Sequence, residues 1–163
     1  MVTYTEVKTT GPIEWARLFE GNRDMNGFND SYVEYDGAYT VSQILSKGEF
    51  AKLQEAGTTK KPVQKRLMDG ELVIKFERKH TITNKDGTVV DKAGGAPVVT
   101  DAQGNAWSDE HGMIGNGSVA EITNLITSFK GRDGKIWART SLVSVKIVEH
   151  VVYEKSDADI EAA

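Results

Sequence analysis

The stretch "SVAEITNLITSFKGRDGKIWARTSLVSVKIVEHVVY", residues 118–153, decides the fold. Both of its flanks are strand-like, alternating apolar with polar side chains and rich in β-branched residues. Between them "GRDG" (131–134) is a turn with a glycine at each end, so residues 118–130 and 135–153 pair as an antiparallel hairpin. Immediately upstream, "GMIGNGSVAEI" (112–122) concentrates Gly112, Gly115 and Gly117. A phosphate cradle would need a lysine after the last glycine and a helix beyond it. Ser118 and a strand follow instead, so Gly115 and Gly117 serve the backbone, through a positive φ or a close approach where the strand begins.

Working outward, "GPIEWARLF" (11–19) reads as a strand with Ile13, Trp15, Arg17 and Phe19 on one face. "AYTVSQIL" (38–45) is a second strand, and "ELVIKFERKHTI" (71–82) a third, with Lys75 and Lys79 opposite Ile74, Phe76 and Ile82. Ser46 and Glu49 form a capping box, Phe50 and Leu53 give a short apolar stripe, and Gly57 closes one helix of about three turns. Phe19, Phe50 and Phe76 are assigned to the core. Residues 20–37 are a loop carrying Phe28, Tyr32 and Tyr35, and "TTKKPVQKR" (58–66) is a basic loop or connection. Residues 83–117 form a long excursion with turns at Asp86-Gly87 and Gln103-Gly104-Asn105. A mainly β chain with five strands and one short helix suits the five-stranded Greek-key barrel of the oligonucleotide-binding (OB) fold, with long decorated loops. An SH3-like barrel or a generic half-barrel has much the same count.

At 163 residues, 39% of them apolar and 27% charged, the chain suits one domain, 1–153, followed by a short acidic carboxy-terminal tail, 154–163. No apolar run is long enough to span a bilayer, and "MVTYTEVK" lacks the order of a secretory signal, so a soluble, intracellular protein is expected. Without cysteine there is no disulfide or thiolate metal site. The net charge of -4 is uneven: basic against acidic side chains number 4 and 8 over 1–51, 10 and 6 over 52–92, 5 and 6 over 93–153, and 1 and 4 over 154–163. A basic middle and an acidic tip fit an anionic partner and a tail that competes for the same surface, or a solvated loop and a frayed end.

Catalytic machinery is scarce. His80, His111 and His150 are far apart in sequence and none forms a metal-ligand pair; Asp109-Glu110-His111 reads as a polar loop. No nucleophile elbow is present. The expectation is no enzyme, no metal and no cofactor. Binding of single strands instead requires cations along the phosphates and aromatic faces under the bases. The chain interleaves both, in a set that includes Trp107, Phe129 and Lys135 and from which the chosen candidates are Trp15, Phe28, Tyr32, Tyr35, Tyr39 and Trp137 with Arg17, Lys75, Arg78, Lys79, Lys130, Arg132 and Arg139. These residues form the candidate single-stranded DNA site. The run Lys60, Lys61, Lys65 and Arg66 adds a possible electrostatic arm.

The order "PVVTDAQGNAW" (97–107), "IGNGS" (114–118), a strand, a glycine turn and "SLVSVKIVEHVVY" (141–153) resembles the single-stranded DNA-binding proteins of podophages and related tailed phages. "GF" (27–28) ahead of "AYTVSQIL" fits the same pattern, and the likeness spans roughly residues 8 to 153. The resemblance implies an OB barrel that coats single-stranded DNA, without sequence preference, during phage replication, recombination and repair in the cytoplasm of the infected bacterium. It also implies contacts with replication proteins through the tail. Here the sequence departs: the family tail is long, strongly acidic and closed by an aromatic residue, whereas "EKSDADIEAA" (154–163) ends in two alanines. The competing reading is a protein-interaction or virion-structural barrel.

Overall fold

The computed structural model describes residues 2–19, 23–26, 30, 37–62, 64–65, 71–80, 82–83, 89–90, 96–107 and 112–151. Its centre is the expected hairpin of β8 (Val119–Lys130) and β9 (Ile136–Glu149), antiparallel from Val119 opposite Glu149 to Lys130 opposite Ile136. On the other edge of β8 lies β1 (Val2–Arg17), from Val2 opposite Phe129 to Pro12 opposite Val119. This strand begins well before residue 11, where the sequence reading started it. In "VTYTEVKTT" (2–10) Val7 and Thr9 are buried while Tyr4, Glu6, Lys8 and Thr10 are exposed, the alternation of a half-buried strand.

From Ile13 onward β1 pairs instead with β2 (Ala38–Leu45), and β2 pairs antiparallel with β4 (Leu72–Lys79). The five long strands therefore run in the order β4-β2-β1-β8-β9, the sequence of neighbours in an OB barrel. Short strands cover the outer edges. β3 (Gln64–Lys65) sits on β4 at Leu72 and Val73, and β7 (Val98–Thr100) runs parallel to β9 at Ser144–Lys146. β5 (Ile82–Thr83) and β6 (Val89–Val90) form a separate small hairpin. Between β4 and β9 the described residues form no backbone ladder. The gap is spanned by Arg78, whose Nη1 donates to the Leu142 carbonyl at 3.3 Å, while the Thr58 hydroxyl, from outside β4, lies 2.6 Å from that of Thr140 on β9. The barrel is thus partly open.

α1 (Lys47–Glu55) follows its sequence signals closely. Ser46 accepts the Glu49 amide at 3.2 Å, and Phe50 and Leu53 are buried. At the far end Thr58 N donates to Leu53 O and Gly57 N to Gln54 O, the paired bonds of a Schellman motif around Gly57 at φ 98°. Phe50 and Phe76 join a core cluster with Ile13, Leu45, Ile122 and Leu142, as assigned. Phe19 is exposed instead.

The reason lies in β1. Its register against β2 jumps from Glu14 opposite Ser42 to Arg17 opposite Thr40, so Trp15 and Ala16 face one residue across the ladder. This is a β-bulge, with Trp15 at φ 54°. The bulge breaks the alternation the sequence implied: Ile13 and Leu18 turn inward, while Trp15, Arg17 and Phe19 turn out.

β1 changes partners between Pro12 and Ile13, next to Gly11, where a Cβ would run into the Ile44 carbonyl oxygen. The buried Gln43 amide fills the junction. Its Nε2 donates to the carbonyls of Thr9 at 3.1 Å, Gly11 at 3.3 Å and Ala120 at 2.9 Å, and its Oε1 accepts from Thr9 Oγ1 at 2.7 Å. Gln43→Leu keeps the volume but removes those bonds and takes away the acceptor of the buried Thr9 hydroxyl, so a loss of about 1–3 kcal/mol in urea unfolding is expected. Asn124, also fully buried, has no hydrogen-bond partner for its amide among the described residues. Asn124→Leu is expected to raise Tm by about 2–4 °C, and a lower Tm would mean that the amide is satisfied.

Candidate functional site

At the free end of the β8–β9 hairpin, Phe129 stands opposite Trp137; one outward row further in, Thr127 is flanked by Tyr4 of β1 and Arg139 of β9. Alternate positions share a face, so Tyr4, Phe129, Trp137 and Arg139 stand on the outside of three neighbouring strands. Tyr4 is 67% exposed, Trp137 53% and Phe129 38%. Exposed Lys130, Arg132 and Lys135 complete the rim, against one acidic side chain in the turn, Asp133. That carboxylate is occupied locally, accepting the Lys135 amide at 3.0 Å.

The turn itself seats the indole. Gly131 N donates to Lys135 O at 2.7 Å, and Gly134 adopts φ 81°. A Cβ on Gly131 would come within 2.9 Å of Trp137 Nε1, so the missing side chain makes room for the ring. The result is an apolar, aromatic ledge with a cationic border, the combination on which nucleobases stack while phosphates are neutralised.

A second group of cations lies on the outer face of β4, where Lys75, Glu77 and Lys79 alternate with inward Ile74 and Phe76. Lys60 lies over this face with Nζ 3.9 Å from Glu77 Oε1, and Lys75 Nζ is 3.8 Å from Asp24 Oδ2. Burial pushes the Lys60 ammonium below its usual range; Glu77 opposes the shift, and Lys75 and Lys79 add to it. Arg78 faces the β4–β9 gap.

Trp15 and Arg17 make a third location, on the bulge. Asn116 Oδ1 accepts the Trp15 amide at 2.8 Å, Gly117 N donates to Ile13 O at 2.9 Å, and Ile13 N donates to Ser118 O at 2.7 Å. The glycine loop is therefore a backbone clamp, with Gly117 at φ 95°, as its sequence implied. Trp15 lies beside the start of β8 and Trp137 beside its end, about 35 Å apart along the strand at roughly 3.3 Å per residue. The two tryptophans do not form one cluster.

Among the other sequence candidates, Tyr39 is 1% exposed, its ring 6.0 Å from that of His80, and offers no face to a ligand. Its position on β2 makes it core, which alternation alone did not separate from exposure. Phe28, Tyr32 and Tyr35 lie outside the described residues, as do Asp109, Glu110, His111 and the acidic tail. Tyr4 was missed because its strand was missed; the alternation "TYTEVK" was the available signal. Among the described residues no group of acidic or histidine side chains could hold a metal, and no helix is long and apolar enough to cross a membrane.

No family model and no curated protein sequence matches the chain. Among solved structures, that of gp2.5, a single-stranded DNA binding protein encoded by bacteriophage T7, is similar with a TM-score of 0.56. The match covers 98% of this chain and 94% of that one at 16% identity. The likeness is one of fold, and the fold is that of the OB-type barrel the strand order indicated.

Gly131→Ala is expected to displace the Trp137 indole. Of the three tryptophan indole N–H signals in a proton–nitrogen spectrum, the one lost in Trp137→Ala should be the one that moves. A stationary signal would place the ring away from the turn.

Proposed function

We propose that the protein binds single-stranded DNA without sequence preference, coating strands exposed during phage replication and recombination. The observation that carries this reading is the ledge of Tyr4, Phe129 and Trp137 bordered by Lys130, Arg132, Lys135 and Arg139. Three aromatic side chains exposed on adjacent strands contribute little to a core, yet they suit unpaired bases, whose faces a duplex hides. The cations around them carry the opposite sign to the strand's phosphates even though the whole chain is acidic. The similarity of fold to gp2.5, whose description names single-stranded DNA binding, supports the same reading.

Lys75, Arg78 and Lys79 on β4 and Trp15 with Arg17 on the bulge are proposed as further contacts along the strand's path. Base recognition rests on stacking, so no sequence specificity is expected. Phosphate neutralisation makes affinity depend steeply on salt.

The test is fluorescence polarisation of labelled oligo-dT, and of a duplex of equal length, at two salt concentrations. Preference for the single strand is expected, with a log–log salt slope near -0.7 for each phosphate contact. Trp137→Ala and Tyr4→Ala should each lose about 1–3 kcal/mol of affinity while melting like the parent chain. Absence of binding at low salt would overturn the reading and leave the ledge as a protein-binding face.

A further inference from the structure

We propose that Tyr4, Thr127 and Arg139 form a seat for one backbone phosphate of the bound strand, so that the strand crosses the end of the β8–β9 hairpin with its bases turned toward the tip. The inference rests on the single-stranded DNA reading and gives the ledge a direction that its aromatic residues alone do not set.

The three residues occupy one outward row on three neighbouring strands, with Tyr4 opposite Thr127 and Thr127 opposite Arg139. Side chains directly opposite on adjacent strands have Cβ atoms about 4.5–5.5 Å apart. Thr127 is short and half-buried, whereas Tyr4 and Arg139 are long and exposed. The row is therefore a notch, with a hydroxyl at its floor and a phenol and a guanidinium as its walls. All three groups donate hydrogen bonds, and the guanidinium presents the planar fork that matches two phosphate oxygens. Among the described residues none of the three side chains has a hydrogen bond or an ion pair, so no existing partner has to be displaced.

The rows on either side set the orientation. Toward the tip lie Phe129 and Trp137, which offer faces to bases and no charge to a phosphate. Away from the tip the next outward row is Glu6, Leu125 and Ser141, and beyond it charges alternate in sign: Lys8 follows Glu6 on β1, and Glu121 stands opposite Lys146. The surplus of positive charge, made by Lys130, Arg132, Lys135 and Arg139, thus ends at the Arg139 row. A strand running along the hairpin would carry its next phosphates past Glu6 onto a face without that surplus. One lying across the hairpin keeps its phosphates beside the cations and its bases over Phe129 and Trp137. The two rows are about 6.6 Å apart at roughly 3.3 Å per residue, within the span of one nucleotide from base to phosphate.

The experiment is a double-mutant cycle on the binding of labelled oligo-dT, read by fluorescence polarisation at several salt concentrations, with Thr127→Val, Arg139→Gln and the double variant beside the parent chain. Thr127→Val keeps the β-branched shape and should bind about two- to tenfold more weakly, the range of one hydrogen bond, with the salt slope of the parent. Arg139→Gln should bind more weakly with a slope smaller in magnitude by about 0.7. Because both side chains hold the same phosphate, the double variant should lose less than the two single losses multiplied together. Should Thr127→Val melt well below the parent, Tyr4→Phe, which keeps the ring and removes the hydroxyl, takes its place in the cycle. Single variants that bind like the parent, or losses that multiply independently, overturn the seat and leave the ledge reading intact as long as Trp137→Ala still weakens binding. A parent chain that does not bind oligo-dT overturns both.

Discussion

The architecture depends on one buried amide. β1 has to serve two partners in succession, β8 as far as Pro12 and β2 from Ile13, and the exchange brings β2 and β8 together around one buried point. A side-chain amide buried there without partners would cost about 1–3 kcal/mol for each unsatisfied group. Gln43 reaches the carbonyls of Thr9, Gly11 and Ala120, which belong to both sides of the junction. Its own oxygen is satisfied by Thr9, so the polar group that solves the problem does not create another. A leucine would pack as well and bond nothing.

The second constraint follows from the first. Once β1 has turned onto β2 it runs only to Arg17, and the bulge at Trp15 adds a residue to the ladder just before that end. A tryptophan at φ 54° is strained. Asn116 and Gly117 hold the conformation from outside, through the Trp15 amide and the Ile13 carbonyl. Ser118 extends the same clamp to the end of β9: its hydroxyl accepts the Val151 amide at 2.8 Å and donates to the Val151 carbonyl at 3.2 Å. A loop whose glycines suggest phosphate chemistry is therefore structural, fastening three strands together.

These features mark what the sequence could convey. The β8–β9 hairpin, α1 with both its caps and the inward positions of Ile74 and Phe76 were legible because each is set by local periodicity or by residues a few positions apart. The bulge was not, because it depends on pairing between β1 and β2, and its consequence was to reverse the expected orientation of Trp15 relative to Ile13. Tyr39 shows the same limit from the other side. Alternation assigns it a face, but only the packing of the neighbouring strands makes that face the interior. Trp137 was legible as an exposed aromatic beside a cation, whereas its company with Phe129 and Tyr4 is set by pairings between strands.

The placement of charge relative to aromatic surface then bears on how a strand would lie. The ledge presents stacking surface at the end of a hairpin, where the backbone is tied by its own turn. The β4 face presents positive charge on a strand interior, where lysines are spaced by the pleat. Stacking energy depends on contact and is lost within a few ångströms, whereas attraction to phosphates persists over roughly 8–10 Å at moderate ionic strength. A strand would therefore be drawn first toward the charged faces and held afterwards by the ledge. Arg78, bonded to the Leu142 carbonyl across the gap between β4 and β9, links the two regions at the opening of the barrel. That opening exists because β3 and β7 cover parts of the β4 and β9 edges that would otherwise compete to close it.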